Sequence, residues 1–260
     1  MWDSRANIKS EAEIEKIKAS AHIVHQTIEF LRPLIQPGVT TSELDIKAES
    51  FIESFDARPA FKNYKVGRLT YKYATCMSKN SAVVHGIPDK DPLKNGDILS
   101  VDVGVEKNGW FGDGAYTFGV GEISEESKKL LDITQESLML GVAAAKAGSR
   151  IYEISKVIQQ YCQSNGFSIV RDLVGHGIGR HLHEEPQVPN YVPSRIEAGF
   201  KNTVLEEGMT IAIEPMVNAG VWRVKTLSDG WTVVTADGMP SAHFEHTIVV
   251  RSWGGEILTK

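Results

Sequence analysis

The sequence predicts a two-halved α/β (α+β) fold in which antiparallel sheet is covered by helices, and three observations carry that expectation. Two amphipathic helical patterns precede a run of alternating apolar strands, and the same order returns in the second half. A faint internal echo links the halves: Gly38, Glu43 and Leu44 are matched 110 positions later by Gly148, Glu153 and Ile154. At 260 residues the chain nears the upper size for one hydrophobic core. One domain over 1–260 is expected, with halves at about 10–122 and 123–255.

Each element has a local reason. Ser10 and Glu13 read as a capping box that opens a helix, and Ile14, Ile17, Ala21, Val24, Ile28 and Leu31 step by threes and fours until Pro33 stops it. Thr40 with Glu43 repeats the device for a second helix, whose Leu44, Phe51, Ile52 and Phe55 share one face. A loop-like stretch runs to about Tyr73. From Asp97 to Val120 the chain alternates Leu99, Val101, Val103 and Val105, then turns at Asn108-Gly109, a dipeptide suited to the left-handed positions of a tight hairpin. Ser124 to Lys146 reads as helix, and Ile151, Ile154, Val157, Ile158 and Tyr161 mark another that ends at Asn165-Gly166. Strand-like runs follow at 168–174, 209–217, 230–236 and 243–250.

Composition narrows the function classes. With 42% apolar and 23% charged residues and a net charge of −5, the chain is globular and lacks the basic footprint of a specific nucleic-acid partner. Its apolar runs fall short of the ~20 residues of a bilayer span, and Met1–Lys18 lacks a signal-peptide core. No membrane partner and a cytoplasmic location are therefore expected. The two cysteines, Cys76 and Cys162, are too few for a disulfide framework and are expected as free thiols.

The chemistry is carried by acids embedded in strands. If Asn108 and Gly109 are the loop of a two-residue hairpin, Asp102 opposes Ala115 and Asp113 opposes Gly104, so both aspartates point to one face as diagonal neighbours about 7–8 Å apart. They could lie on a solvated face. Glu214, ending an apolar strand, and Glu245, interrupting another, point instead to one shared cation site, because a carboxylate removed from water must be compensated. His176, between Gly175 and Gly177, adds a neutral nitrogen donor, its flanking glycines read as leaving the backbone uncrowded. Taken alone, each of these residues has an equally good structural reading. Together, two Asp, two Glu and one His would be balanced by two divalent ions, and such oxygen-rich ligation suits Co, Mn, Fe or Zn. A bound cation lowers the pKa of water from 15.7 towards about 7, which is the chemistry of a hydrolase.

The motifs Val84-His85-Gly86-Ile87-Pro88, Asp102 with Asp113, Gly175-His176-Gly177-Ile178-Gly179, His183-Glu184-Glu185-Pro186, Ile213-Glu214-Pro215 and Phe244-Glu245-His246-Thr247 together resemble the methionine aminopeptidases, over about Ser10 to Leu258. The 38 positions between His176 and Glu214 leave no room for the type II insertion, so the likeness is to type I in its short form, without an N-terminal zinc-binding extension. The resemblance implies the pita-bread fold of two pseudo-symmetric halves and makes 1–260 a single catalytic domain. It implies Asp102, Asp113, His176, Glu214 and Glu245 as ligands of two divalent ions, with Asp113 and Glu245 bridging. It implies His85 and His183 at the scissile amide, Glu214 as proton shuttle, and Tyr71, Cys76 and Trp231 as the methionine pocket. Its substrates would be nascent polypeptide N-termini with a small second residue, cut by a dinuclear metal-activated hydroxide; a monomer is the default state, with room for a transient ribosome contact.

The sequence departs from the family at Leu182, where an aromatic is frequent, at His243, where glutamine is frequent, and over a longer segment from Pro193 to Lys201. His243 and Glu245 share a strand face, which gives His243 an accessory ligand role to weigh; His22, His25, His181 and His246 have no constellation. Two other functions compete. An Xaa-Pro aminopeptidase of the same fold usually carries a further N-terminal domain, for which this chain has no residues to spare. A metal-free binding protein of that fold would not need all five ligand types.

Overall fold

In the computed structural model, which describes residues 8–194 and 200–260, both capping boxes form. Glu13 reaches back to the Ser10 N–H at the start of α1 (Glu11–Leu31), and Glu43 to the Thr40 N–H at the start of α2 (Thr41–Glu53). The second half supplies α3 (Glu125–Ala144) and α4 (Ile151–Ser164), the latter closing at Gly166 with φ +90°. No helix among the described residues is long and apolar enough to cross a membrane.

The helices cover an antiparallel sheet of nine strands: β1 (Arg58–Pro59), β2 (Cys76–Lys79), β3 (Ile98–Lys107), β4 (Trp110–Gly119), β5 (Gly175–Gly177), β6 (Glu184–Val188), β7 (Thr210–Ile213), β8 (Glu245–Arg251) and β9 (Gly254–Ile257). The path across it is β1-β3-β4-β8-β7-β5-β6, with β2 added to β3 and β9 to β8. The central hairpin has the expected register, Asp102 opposite Ala115 and Gly104 opposite Asp113.

Packing fixes that register. Leu99, Val101, Val103 and Val105 are fully buried with Ile23, Val24, Leu31, Leu44 and Ile52 of α1 and α2. Each such side chain contributes about 1.5–3 kcal/mol by leaving water. A slip of one residue would drive Asp102 into this apolar layer, so the alternation that builds the core also sends Asp102 to the opposite face. In the second half, Leu130, Leu138, Ile151, Ile154 and Ile158 form the matching layer with Ile211, Ile213 and Ile248.

The internal echo has a structural counterpart. The Gly38 N–H donates to the Leu93 carbonyl and the Leu93 N–H to that of Val39, both at 2.8 Å. Gly148, Leu205 and Ser149 repeat the pair of bonds at the same 2.8 Å. Both glycines take positive φ, +95° and +89°, which an L side chain adopts only under strain.

All four strand runs of the second half differ from the sequence reading, and 230–236 is strand only over Val233–Thr235. The run 168–174 is strand only over Ser168–Ile169. The runs 209–217 and 243–250 each break in two: β7 gives way to Met216–Asn218 after Pro215, and Ser241–His243 gives way to β8 at Phe244. In both cases the chain leaves one sheet for another, since Met216–Asn218 pairs with Ser241–His243 and Ser168–Ile169 in a separate three-stranded sheet. Proline lacks the N–H needed to continue a ladder, which accounts for the first break. Between Tyr73 and Asp97, where the sequence reading assigned no element, lie β2 and the strand Ala82–Val84, joined through Asn80 at φ +56°. Of the unusual segment 193–201, residues 195–199 lie outside the described part.

Buried Asp45 on α2 ties that helix to the segment entering β2, accepting from the Thr75 N–H at 2.8 Å and from its hydroxyl at 2.7 Å. Burial pushes its carboxyl above the ordinary value, only partly countered by the Thr75 bonds. A carboxyl raised on folding stabilises the fold in its protonated form, a contribution gained as pH falls through the folded pKa and absent well above it. The urea midpoint of the wild type is therefore expected to gain on that of Asp45→Asn between pH 7 and pH 4; a gap that is constant or moves the other way would refute this.

A buried carboxylate and imidazole centre

Four neighbouring strands carry one row of side chains across the sheet: Cys76 opposes Asp102, Asp102 opposes Ala115, and Ala115 opposes Glu245. Asp113 stands two residues before Ala115, hence on the same face. The Asp113 backbone is clamped from β8: its N–H donates to the Thr247 hydroxyl at 3.0 Å, and that hydroxyl donates to the Asp113 carbonyl at 2.7 Å. Asp102 and Asp113 are 8% and 3% exposed, which removes the solvated-face alternative. Glu214 sits at the break after β7, its carbonyl held by the Asn190 side-chain amide at 3.0 Å.

His176 reaches the same place from β5. The flanking glycines are required for a reason opposite to the one expected: the backbone there is crowded. A Cβ on Gly175 would stand 2.4 Å from the Ala212 carbonyl oxygen, and one on Gly177 2.2 Å from that of Glu185. The His176 Nδ1 lies 2.9 Å from the Gly177 carbonyl, which can only accept, so the proton is on Nδ1 and the Nε2 lone pair faces the acids. That Nε2 is 3.8 Å from Asp113 Oδ2 and 3.7 Å from Glu214 Oε1.

The electrostatics of this cluster are unfavourable as they stand. Burial, then mutual repulsion, pushes the carboxyls of Asp113, Glu214 and Glu245 well above their ordinary range, and burial raises Asp102 to about 7. The Asp113–Glu245 and Glu214–Glu245 donor oxygens lie within 4.8 Å, and two like charges at such a separation cost on the order of 4 kcal/mol at an effective dielectric of about 20. Among the described residues no Lys or Arg lines the cavity. Asp102 Oδ1 and Glu245 Oε1 are buried with no hydrogen-bond partner. Carboxylate oxygens left unpaired beside an imidazole lone pair fit divalent cations, and the donor atoms of Asp113, His176 and Glu245 lie within 4.8 Å of one another.

The cluster floors a cavity of about 380 Å³, and every site residue singled out in the sequence lines it: Tyr71, Cys76, His85, Asp102, Asp113, His176, His183, Glu214, Trp231 and Glu245. Tyr71 and Trp231 pack edge to face at 5.2 Å, and the Tyr71 hydroxyl is taken up by the Thr75 and Gly86 carbonyls at 3.0 Å. The ring left facing the cavity is apolar. Burial holds the Cys76 thiol protonated, as a packing group rather than a nucleophile. His85 takes φ +57°, a left-handed conformation that aims its ring from a loop; burial lowers its pKa to about 4. Burial and the neighbouring His176 and His85 keep His183 neutral as well. Sequence reasoning missed Tyr64, whose hydroxyl lies 2.8 Å from His183 Nδ1 across 119 residues, and the lining residues Phe61, Leu173 and Met216. No local pattern marks them.

Residues 15–252 match the model of metallopeptidase family M24. The chain belongs to metallopeptidase family M24. Within that family it is 50% identical to a methionine aminopeptidase of Clostridium perfringens, over 97% of this chain and 98% of the relative. The solved methionine aminopeptidase of Thermotoga maritima superposes with a TM-score of 0.92 at 45% identity, covering 98% and 100% of the two chains. The prolidase of Pyrococcus furiosus superposes less closely, with a TM-score of 0.77 at 25% identity, over 98% of this chain and 66% of the prolidase. The architecture is thus the pita-bread α/β fold that methionine aminopeptidases and prolidase share. As an M24 metallopeptidase the chain is an enzyme whose family uses divalent metal, and the acid and imidazole cluster is where its residues could hold it.

In this M24 chain the segment bearing His183 is pinned from the far end of the sequence. Lys9 Nζ lies 2.6 Å from Glu184 Oε2 with both side chains buried, while Glu184 Oε1 accepts from the His181 N–H at 3.0 Å. The Lys9 backbone N–H is in turn fixed to the Gly208 carbonyl at 2.9 Å. Removing one partner of a buried pair leaves an uncompensated charge and typically costs about 3–5 kcal/mol, whereas neutralising both costs much less. Lys9→Met is expected to lower unfolding free energy by that amount in urea, and Lys9→Met/Glu184→Gln to recover much of it. Equal losses in the single and double variants would show that the pair has no such role.

Proposed function

We propose that the chain is a type I methionine aminopeptidase that removes the N-terminal methionine from nascent polypeptides with a small second residue. The observation that carries this reading is the two-part cavity, a buried carboxylate and imidazole cluster continuous with an apolar wall of Tyr71, Cys76 and Trp231. An unbranched, polarisable thioether suits such an aromatic and sulfur-lined wall. The near full-length identity to a protein of that name supports it. The Xaa-Pro reading draws less support, since the prolidase likeness stands at 25% identity.

In this reading Asp102, Asp113, His176, Glu214 and Glu245 would hold two divalent ions, drawn from Co, Mn, Fe or Zn. Bound there, the cations would offset the carboxylate charges and make a water acidic enough to supply the nucleophile near neutral pH. The rest is done by side chains. Glu214 is the most open of the acids, its side chain 13% exposed against 5% for Asp113 and 3% for Glu245, which suits it to take up and return the proton of the attacking water. With the Tyr64 hydroxyl 2.8 Å from Nδ1 and donating to it, a neutral His183 carries its proton on Nε2 and is assigned the donor to the oxygen or the leaving nitrogen of the scissile amide as charge develops. His85, also neutral, lines the same cavity and is assigned the second contact to that amide. Nascent chain N-termini are then the partners, with the cytoplasm as the place of action.

The test compares cleavage of Met-Ala-Ser, Ala-Pro and acetyl-Met-Ala-Ser by the metal-loaded protein. Release of methionine from the first alone is expected; faster cleavage of Ala-Pro overturns the assignment. Glu214→Ala and His176→Ala are each expected to lower kcat by about 10²-fold or more with the near-UV circular dichroism unchanged. Near-normal kcat in either removes that residue from the site.

A further inference from the structure

We infer that His243 is a sixth donor of this centre, supplying a second imidazole to a cation position built from Glu214, His243 and Glu245. The inference rests on the metallopeptidase reading and extends its donor set. His243 is 2% exposed, and neither ring nitrogen has a hydrogen-bond partner. Buried polar atoms of a native fold are almost always satisfied, so an imidazole with both nitrogens unpaired marks a place where another group belongs.

Geometry says which group. His243 Nε2 lies 3.7 Å from Glu214 Oε2 and 4.0 Å from Glu245 Oε2. Both separations are too long for hydrogen bonds. They are the spacing of two donors on one cation, since donors each about 2.0–2.2 Å from a metal stand roughly 3–4 Å apart. His176, on the other side, shows the same spacing, 3.7 Å from Glu214 Oε1 and 3.8 Å from Asp113 Oδ2. Glu214 therefore presents one oxygen to each imidazole. The donor atoms of Glu214, His243 and Glu245 lie within 4.8 Å of one another, as do those of Asp113, His176 and Glu245.

The backbone holds the ring in place. The His243 N–H donates to the Thr117 hydroxyl at 2.9 Å, and that hydroxyl donates back to the His243 carbonyl at 2.7 Å. His243 ends the strand opposite Met216, one residue before the chain crosses into β8 and reaches Glu245. The sheet change thus brings both side chains to the centre from consecutive strands.

A second imidazole has a chemical consequence. Nitrogen donors favour Co and Zn, whereas all-oxygen surroundings suit Mn, so His243 should bias the centre toward the former. The experiment titrates metal-free protein with Co(II) and, separately, Mn(II) by calorimetry and records the visible absorption of the Co(II) form. It uses the wild type, His243→Gln and the apolar His243→Leu, with near-UV circular dichroism as the check on folding. Glutamine keeps a hydrogen-bonding side chain but is a poor ligand for these ions, so it separates ligation from mere hydrogen bonding. Co(II) affinity is expected to fall about tenfold or more in either variant, with a changed Co(II) band and a smaller loss for Mn(II). Co(II) affinities within about twofold of wild type in the folded variants, with superimposable bands, overturn the inference while leaving the metallopeptidase reading intact. A wild type that takes up no Co(II) overturns both.

Discussion

Four carboxylates and one imidazole lone pair are held at the floor of one cavity, and among the described residues no cationic side chain reaches them. Their repulsion is the constraint around which the molecule is organised. Like charges at this separation oppose folding by several kcal/mol in total, even with a generous effective dielectric. The apolar layers beneath α1 and α2 and beneath α3 and α4 outweigh that cost and set where it falls. The same alternation that buries Leu99, Val101, Val103 and Val105 delivers Asp102 to the other face, so the acid cannot escape to solvent without unpacking the core. Burial then keeps His85 and His183 neutral, so that neither places a positive charge beside the carboxylates.

The two glutamates occupy the places where the chain changes sheets. Glu214 stands between β7 and Met216–Asn218, and Glu245 opens β8 just after the break at Phe244. A residue in mid-ladder has its backbone directions set by two neighbouring strands, and its side chain stands near-perpendicular to the sheet. A residue at a switch between sheets is freed on one side, which lets its side chain lean toward a point that a regular strand could not reach. Asp102 and Asp113 come from the regular hairpin, Glu214 and Glu245 from the switches, and His176 from a strand whose glycines admit two neighbouring backbones. Convergence on one centre requires all three devices.

What could be read from the sequence divides along the same line. The Asn108-Gly109 turn determines the hairpin register by counting alone, so the shared face of Asp102 and Asp113 was legible residue by residue. The capping boxes at Ser10 and Thr40 were legible for the same reason, being interactions over three residues. The sheet switches were not, because an apolar strand that continues in a second sheet has the same periodicity as one that does not. The role of the glycines beside His176 was misread, since crowding by Ala212 and Glu185 is a property of strands joined only in the folded sheet. Tyr64 on His183 and Lys9 on Glu184 join residues 119 and 175 positions apart and leave no local trace. The resemblance named the residues that line the cavity; the contacts that aim them required coordinates.

The fold and the acid cluster together do not single out a substrate. Prolidase shares the architecture at a TM-score of 0.77 although the sequences agree at only 25% of positions, which is the ordinary situation of one scaffold carrying several specificities. Under the proposed reading, discrimination comes from side chains outside the cluster, and the aromatic part of that lining comes from two segments. Phe61, Tyr64, Tyr71 and Cys76 belong to the stretch from β1 into β2, and Trp231 to the loop before Val233–Thr235. The edge-to-face contact of Tyr71 with Trp231 joins the two, and the Tyr71 hydroxyl is taken up by backbone carbonyls, so the Tyr71 ring offers a side chain dispersion and polarisability. In the proposed reading such an aromatic face would favour a thioether over a polar side chain, which would bring unmet hydrogen bonds. In the proposed reading the acids of the centre come from strands and sheet switches, whereas Tyr71 and Trp231, which would choose the residue, come from the segments outside the nine-stranded sheet.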